Sequence, residues 1–392
     1  MDQATPPQTA IEIAEAIART GASANAAGVD RDSRFPREAF AGIKSGRLLG
    51  MMIPADLGGG GASIAEVTAV CSVLSRACAS TGLIFAMHQI QVASLLNAGL
   101  QSAWHRGFLT RIARDQLLLA SATTEGGIGG DIRSSSCAVV ANEGRITLEK
   151  LGTVISYGNE ADAILVTARR NLEAPSSDQV MVAIEKAGYT LEQTATWDTL
   201  GMRGTSSFGH RLTAHGVTDQ VLPKPFSDIA TQSMLGTSHI FWSGVWHGIA
   251  ADAFAKAQAF VRARARQNPG APMPGAQRLA EASQKLQLLR SGIAEAGRLY
   301  SKALARDSWT EDASLAIALN NHKINSSELT VEIVHHALLI CGIAGYRNDS
   351  PHSLGRNLRD AYSSQVMINN DRIETNVASL LMVSKHDGAL FS

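Results

Sequence analysis

The chain has 392 residues, of which 45% are hydrophobic, so it can bury a large core and form two or three domains. Lys and Arg total 35, as do Asp and Glu, and no basic run offers a face for phosphates, which argues against a nucleic-acid partner. The four cysteines lack metal-site spacing, and the sequence shows neither a secretory leader nor a membrane-spanning run of about 20 apolar residues, so we expect a cytoplasmic protein with reduced thiols.

Residues 1–118 have the periodicity of an α-helical domain. Ser63 and Glu66 are spaced as a capping box ahead of the apolar-periodic run 67–79, which predicts the start of a helix. The glycines at 58–61 predict a turn between helices. A phosphate-binding loop would need a Lys-Ser or Lys-Thr pair after them, and the sequence has none there.

Residues 119–228 change to a strand-like period. Apolar residues alternate on both sides of a turn at 142–144, which predicts a β-hairpin, and residues 163–167 and 180–184 predict further strands. Residues 229–392 are helical again. One apolar stripe in them recurs at steps of three and four, as in a bundle helix, and consists of Leu279, Ala282, Leu286, Leu289, Ile293, Ala296 and Tyr300. We therefore place domain boundaries after residues 118 and 228.

Two peptides in the strand-like region carry the strongest functional signal. They are Ala122-Thr-Thr-Glu-Gly-Gly-Ile-Gly-Gly-Asp131 and Trp197-Asp-Thr-Leu-Gly-Met-Arg-Gly-Thr205. Together they resemble the flavin-binding middle domain of the acyl-CoA dehydrogenase family. The resemblance implies an α+β fold with an N-terminal helical domain, a middle β-sheet or barrel domain and a C-terminal four-helix bundle. It also implies a flavoprotein oxidoreductase that binds FAD.

The resemblance also implies a set of cofactor contacts. Ser121, Thr123 and Thr124 would meet the pyrimidine end of the flavin, and Ser156, which follows Ile155, would bond near the flavin N5. Arg266 and Gln277 match the residues that hold the FAD pyrophosphate of a neighbouring subunit, which implies a homo-oligomer, either a dimer or a tetramer. The remaining expected contacts are Gly129, Gly342 and Asn370.

The usual catalytic glutamate of the family is missing. Its common position, seven residues after an Arg-Asp-Ala triplet, is Ile368 here, and its alternative position after the FAD arginine is Gln267. His88 is the leading replacement, because the matching segment of the family lines the acyl pocket, although a core histidine is the open alternative; His239 and His247 are weaker candidates. The expected substrate pocket consists of Gly130, Phe241, Trp242, Met367 and Ile368.

Three functions remain open at this point. The leading expectation is oxidation of an unusual acyl or aminoacyl thioester, bound to CoA or a carrier protein, by hydride transfer to FAD. Its electron acceptor would be an electron-transfer flavoprotein or oxygen. The second is a flavin-dependent monooxygenase on the same fold, and the third is a homologue without redox activity. No feature of the sequence decides between them.

Overall fold

A computed structural model describes residues 8–126, 132–269, 275–306 and 313–384. Helices fill the first of the three regions, as the apolar periodicity predicts. Their bounds are α1 Ala10–Ile17, α2 Ala26–Arg31, α3 Arg37–Ser45, α4 Ile64–Ala77, α5 Ala79–Gly99 and α6 Ala103–Asp115. The capping box of α4 is formed, since the Glu66 amide donates to the Ser63 hydroxyl at 3.3 Å and the Ser63 amide donates to the Glu66 carboxylate at 2.9 Å.

The helix α5 lies at the centre of the molecule. By length and composition it could cross a membrane, contrary to the expectation from the sequence. In the fold, however, 89% of its apolar window is buried, as in the core helix of a globular protein. Polar residues such as His88, Gln89 and Gln91 interrupt its apolar run, and all three are buried within the protein.

The middle region is built from strands. They are β1 Leu119–Ala122, β2 Val140–Asn142, β3 Arg145–Gly152, β4 Ala163–Arg169, β5 Gln179–Glu185, β6 Tyr189–Ala195 and β7 Gly209–Val217. Within the described residues they form a three-stranded sheet of order β1-β4-β5 and a four-stranded sheet of order β2-β3-β7-β6. The predicted hairpin is β2–β3, which pairs Asn142 with Arg145 in antiparallel register. Alternate residues of β3 are buried, so one face of its sheet points into the core.

Helices return after the last strand. They are α7 Phe226–Ile229, α8 Leu235–Gln267, α9 Ala276–Arg306, α10 Ala313–Cys341, α11 Ile343–Tyr346, α12 Gly355–Val366 and α13 Asn370–Val383. The stripe predicted on α9 buries Ala282, Leu289, Ala296 and Tyr300 in the bundle. The main hydrophobic core contains residues of all three regions. The order helical domain, sheets and helical bundle agrees with the expected fold class, while the boundaries after 118 and 228 stay predictions.

Candidate functional site

Two loops of the middle region are clamped together around Ser156. The Ile155 amide donates to the Phe208 carbonyl at 2.9 Å, and the Tyr157 amide donates to the Thr205 carbonyl at 2.9 Å. The two bonds flank Ser156, whose hydroxyl lies 2.8 Å from that of Ser207. Ile155 is fully buried, whereas Ser156 is half-buried, so its hydroxyl lies at the edge of the site.

A chain of hydroxyl groups leads inward from Ser156. Ser207 and Thr205 are 2.8 Å apart, and the Thr205 hydroxyl donates to the Met202 carbonyl at 2.8 Å. Thr205 and Ser207 are both buried. Their loop requires left-handed backbone at two residues other than glycine, because φ is 52° at Met202 and 46° at Ser206. Such conformations cost roughly 1–3 kcal/mol each and persist only where the surroundings hold them.

Residues 122–126, the described part of the first of the two peptides with the functional signal (the first signature peptide), lie beside these loops. The Thr124 hydroxyl donates to the Val154 carbonyl at 2.7 Å, and the Gly126 amide donates to the Leu151 carbonyl at 3.2 Å. Thr124 thus fastens one loop to another. Ser121 and Thr123 are half-buried next to it. Two residues expected to contact cofactor or substrate, Gly129 and Gly130, lie outside the described residues.

Glu125 anchors the first signature peptide by a buried ion pair that the sequence-based predictions did not include. Its carboxylate lies 3.2 Å from the ammonium of Lys150, and both side chains are buried. Burial works against the charged carboxylate, but hydrogen bonds from Ser136 and Ser135 and the charge of Lys150 outweigh it and hold the pKa of Glu125 at about 2. The alternating pattern of β3 could have revealed Lys150, since a charge stands there at an inward position.

The second signature peptide joins all three regions of the chain. Arg359 on α12 forms an ion pair with Asp30 at the end of α2 and donates to the Leu200 carbonyl at 2.9 Å. A Cβ on Gly201 would lie 2.2 Å from the Arg359 carbonyl oxygen, so only glycine fits there. The Gly-Met-Arg-Gly-Thr turn is therefore a junction of domains as well as a neighbour of Ser156.

Asp360 holds the same turn from the C-terminal side. Its carboxylate accepts a hydrogen bond of 2.7 Å from the Met202 amide. Burial raises the pKa of Asp360 to about 6, although the Met202 amide and the charge of Arg356 favour its ionised form. Met202 therefore contacts Asp360 through its amide and Thr205 through its carbonyl.

His88, the leading candidate base, is a buried and fully hydrogen-bonded core residue. Its Nε2 lies 2.8 Å from the Leu49 carbonyl, and its Nδ1 accepts from the Leu119 amide at 3.0 Å. A carbonyl only accepts and an amide only donates, so the ring is neutral and protonated on Nε2. Burial lowers the pKa of His88 to about 4. As placed, His88 has no nitrogen free for a substrate, which favours the alternative of a core histidine, and its catalytic role stays a prediction.

The other two candidate histidines each keep one nitrogen without a partner in the described part of the chain. His239 pairs its Nε2 with Asn320 at 3.1 Å, and His247 pairs its Nδ1 with Ser72 at 2.8 Å. The remaining nitrogens, Nδ1 of His239 and Nε2 of His247, are buried. Burial lowers the pKa of His239 to about 3 and that of His247 to about 4, so both rings are neutral at pH 7. Their catalytic roles stay predictions.

Ile368, at the family's usual base position, belongs to a hydrophobic cluster between α10 and α13. Its side chain packs with Ile317, Ile324, Ile373 and Val377. Its φ of 52° is a marked outlier for a β-branched residue.

A buried lysine holds the loop that contains Ile368 and its unusual φ. The ammonium of Lys323 donates to the Ile368 carbonyl and to the Asn370 side chain, both at 2.6 Å. Burial lowers the pKa of Lys323 to about 8. Asn370 is thus engaged with Lys323 inside the chain, and its expected contact with the cofactor stays a prediction.

The remaining expected site residues differ in their exposure to solvent. Gln267, Arg266 and Gln277, at or near the facing ends of α8 and α9, and Gly342 at the start of α11 are exposed. Phe241 is fully buried in the main core, while Trp242 and Met367 are half-buried and pack against it. The structure thus groups Ser156 with the middle-region loops and leaves Arg266 and Gln277 at the surface.

Comparisons with known proteins identify the family. Residues 8–116 match the family model described as acyl-CoA dehydrogenase, N-terminal domain. The chain is 26% identical to the mitochondrial short-chain specific acyl-CoA dehydrogenase of Bos taurus over 358 residues, which is 87% of this chain and 81% of the relative. These matches support membership of the acyl-CoA dehydrogenase family. Another relative is the amino sugar nitrososynthase DnmZ of Streptomyces peucetius, 27% identical over 86% of this chain and 84% of its own.

Solved structures confirm the fold. Butyryl-CoA dehydrogenase of Megasphaera elsdenii superposes with a TM-score of 0.77 at 19% identity, covering 96% of this chain and 99% of its own. FMN-bound TdsC of Paenibacillus sp. A11-2 superposes with a TM-score of 0.81 at 19% identity, covering 97% of this chain and 99% of its own. The expected family, fold class and enzyme type, an acyl-CoA dehydrogenase-like oxidoreductase, are confirmed.

The site fits the flavin that family membership supports. A flavin needs polar groups at N5 and at its pyrimidine edge, with its ring faces left open. Ser156 offers a hydroxyl at the end of a buried chain, and Ser121 and Thr123 offer half-buried hydroxyls nearby. Val154, the residue before Ile155, is partly exposed and would offer a flavin ring no aromatic surface.

Proposed function

We propose that this protein is a flavin-dependent monooxygenase on the acyl-CoA dehydrogenase fold. The observation that carries the proposal is that neither of the two positions expected for the catalytic base holds a carboxylate. The Ile368 side chain packs in the cluster between α10 and α13, and Gln267 is an exposed amide. Removing a proton alpha to a thioester needs a well-placed base, which typically contributes a factor of ~10²–10⁴. Oxygen insertion into an electron-rich substrate needs no such carboxylate.

The residues of the site have distinct roles in this proposal. A bound flavin, reduced by a separate reductase, supplies the oxygen chemistry. Ser156 would orient the flavin through its hydroxyl, Thr124 fastens the neighbouring loop through the Val154 carbonyl, and Lys150 anchors Glu125. The neutral imidazoles of His239 and His247 add no charge to the helical bundle at pH 7.

We propose FAD as the flavin and a homo-oligomer as the working form. Arg266 is exposed near the end of α8, and the structure shows no ion pair for it among the described residues. Gln277 is exposed at the start of α9. A guanidinium without an ion pair among the described residues suits a pyrophosphate from outside the chain, because Arg binds phosphate oxygens in a bidentate manner. TdsC is bound to FMN, so the identity of the flavin is itself a test.

Oxidation of an unusual acyl or aminoacyl thioester, on CoA or a carrier protein, stays the second candidate. It is favoured by the relatives named as short-chain acyl-CoA dehydrogenases. In that case the electron acceptor would be an electron-transfer flavoprotein or oxygen. The substrate's own amine or His239 would have to accept the proton, since His88 has no free nitrogen.

Two measurements on one preparation separate the candidates. The purified holoprotein is titrated anaerobically with butyryl-CoA and with an aminoacyl thioester while the flavin absorbance is recorded. Separately, oxygen uptake is followed with NADH, a flavin reductase and an amino sugar, the substrate class in the name of DnmZ. The proposal expects no bleaching, and product formation that depends on oxygen, protein and amine together. Bleaching by a thioester would establish the second candidate instead.

A further inference from the structure

Lys323 on α10 is a buried cation without a countercharge among the described residues. It is 0% exposed, and no neighbouring carboxylate offsets the burial of its ammonium. Lys150, the other buried lysine of the described chain, lies 3.2 Å from the Glu125 carboxylate. Buried charges in proteins are normally paired, because taking an ion out of water is costly. The unpaired charge of Lys323 therefore points to a ligand.

Two of the three N–H groups of Lys323 have acceptors within the protein. The ammonium donates to the Ile368 carbonyl and to the Asn370 side chain, both at 2.6 Å. The described residues offer no third acceptor, and the ammonium lies 5.7 Å from the centre of the Trp246 ring. An aromatic face attracts a cation but does not neutralise its charge. One N–H group of Lys323 is thus available to a further acceptor.

The Trp246 ring beside this ammonium carries a second unused donor. Its Nε1 is buried and has no hydrogen-bond partner among the described residues, and the whole residue is 0% exposed. An indole nitrogen can only donate, so both unused groups of the cluster are donors. A carboxylate would supply the acceptor oxygens and the countercharge together.

The cluster adjoins residues that are closer to the surface. Ile368 contacts Lys323 through its carbonyl, Met367 precedes Ile368, and Trp242 lies one turn before Trp246 on α8. Trp242, Met367 and Ile368 are half-buried. We propose that Lys323 and Trp246 bind the carboxylate group of a small acid that enters on the side of Trp242 and Met367. The site depends neither on a flavin nor on the oxygen chemistry of the proposed function.

The ammonium carries its charge at neutral pH. Burial lowers the pKa of Lys323 to about 8, so the group is protonated at pH 7. The other titratable groups of the cluster are His239 on α8 and His322 on α10. Burial lowers the pKa of His239 to about 3 and that of His322 to about 4, so neither ring is charged at pH 7. Carboxylate binding should therefore weaken as the pH rises through 8.

Pairs of acids and amides test the proposal. The full-length protein is titrated calorimetrically with butanoate and butanamide, and with benzoate and benzamide, which differ in charge but little in shape. At pH 7 we expect each acid to bind about 10- to 100-fold more tightly than its amide, as for hydrogen bonds to a charged group. At pH 9 this ratio should fall by about 10-fold, because most of the ammonium has lost its proton.

Matched variants locate the effect. Lys323→Met should make acid and amide bind equally, and Trp246→Phe, which keeps the ammonium, should lower the ratio by about 3- to 10-fold. Lys256→Met is the control and should leave the ratio unchanged, because Lys256 already has the Asp252 carboxylate at 2.8 Å. If Lys323→Met does not fold, the pH series and Trp246→Phe still decide.

The outcomes separate this site from the proposed function. Both ligands of a pair are measured on one preparation, so partial loss of folded protein cancels in their ratio. Native protein that binds acid and amide equally, or binds neither acid saturably, would overturn the carboxylate site. A preference that persists in Lys323→Met would overturn it as well. None of these results bears on whether the protein is a monooxygenase, which the oxygen-uptake assay decides.

Discussion

His88 shows how a polar residue in an apolar helix can be structural. It connects α5 to the loop before α4 through Leu49 and to β1 through Leu119. We expect His88→Leu to lower the free energy of unfolding by about 1–3 kcal/mol, because the buried Leu119 amide loses its acceptor. Flavin reduction in the folded variant should stay near native. Urea denaturation with an activity assay checks this, and exposed His335→Gln is the control.

The depressed pKa of His88 predicts that the stability of the native protein and that of the His88→Leu variant depend differently on pH. The pKa of His88 is about 4 in the folded protein and about 6.5 in the unfolded chain. The neutral ring therefore contributes fully to the free energy of unfolding above pH 6.5, and this contribution is lost as the pH falls through 4. His88→Leu should therefore lose less stability than the native protein between pH 7 and pH 4. A native-like melting temperature combined with a ~10²-fold slower rate would restore His88 as the base.

Lys150 and Glu125 form the buried ion pair that anchors the first signature peptide. Lys150→Met should destabilise the protein by about 3–5 kcal/mol, because it leaves the Glu125 carboxylate without a countercharge. Adding Glu125→Gln should recover much of this loss, since a neutral amide needs no cation. Thermal unfolding of the native protein, both single variants and the double variant measures the coupling. Additive losses in the double variant would contradict a direct pair.

The turn 201–205 connects regions far apart in sequence. Gly201→Ala places a Cβ 2.2 Å from the Arg359 carbonyl oxygen, so α12 must shift. We expect a loss of at least about 2 kcal/mol, in the range of overpacked cores, and weaker flavin binding because the shift reaches Met202 and Thr205. Gly297→Ala on α9 is the control: its Cβ meets nothing within 4 Å, and helix propensity predicts a gain of about 0.5–1 kcal/mol.

Elements with local signals could be read from the sequence. The capping box at Ser63, the β2–β3 hairpin and the stripe on α9 each depend on neighbouring residues, and the structure has all three. The pairing of Glu125 with Lys150 and the contact of Gly201 with Arg359 join distant segments, so no spacing rule could give them. The sequence left the role of His88 open for the same reason, because its partners lie in other elements.

In the proposed homo-oligomer, residues of a second subunit would complete each FAD site. Several exposed apolar residues lie on the consecutive elements α10 to α13, including Ile343 at 72% exposure, Tyr346 at 74%, Val366 at 71% and Met382 at 86%. Contiguous apolar patches on a protein surface mark interaction sites, and we expect these exposed residues to contribute to an interface between copies. The same half of the chain carries Arg266 and Gln277 at its surface.

We expect light scattering to give a multiple of the 41.4 kDa chain mass. The double variant Ile343→Glu with Tyr346→Glu should shift the mass to one chain, because it buries charge in the interface. If Arg266 serves a neighbouring subunit, this monomer should also lose FAD, and Arg266→Ala should weaken FAD in an intact oligomer by about 1.5–3 kcal/mol. Leu172→Glu, at an exposed apolar residue of the middle region, is the control for surface charge. A native monomer that retains FAD, or an Arg266→Ala protein with native affinity, would show that each flavin site is complete within one chain.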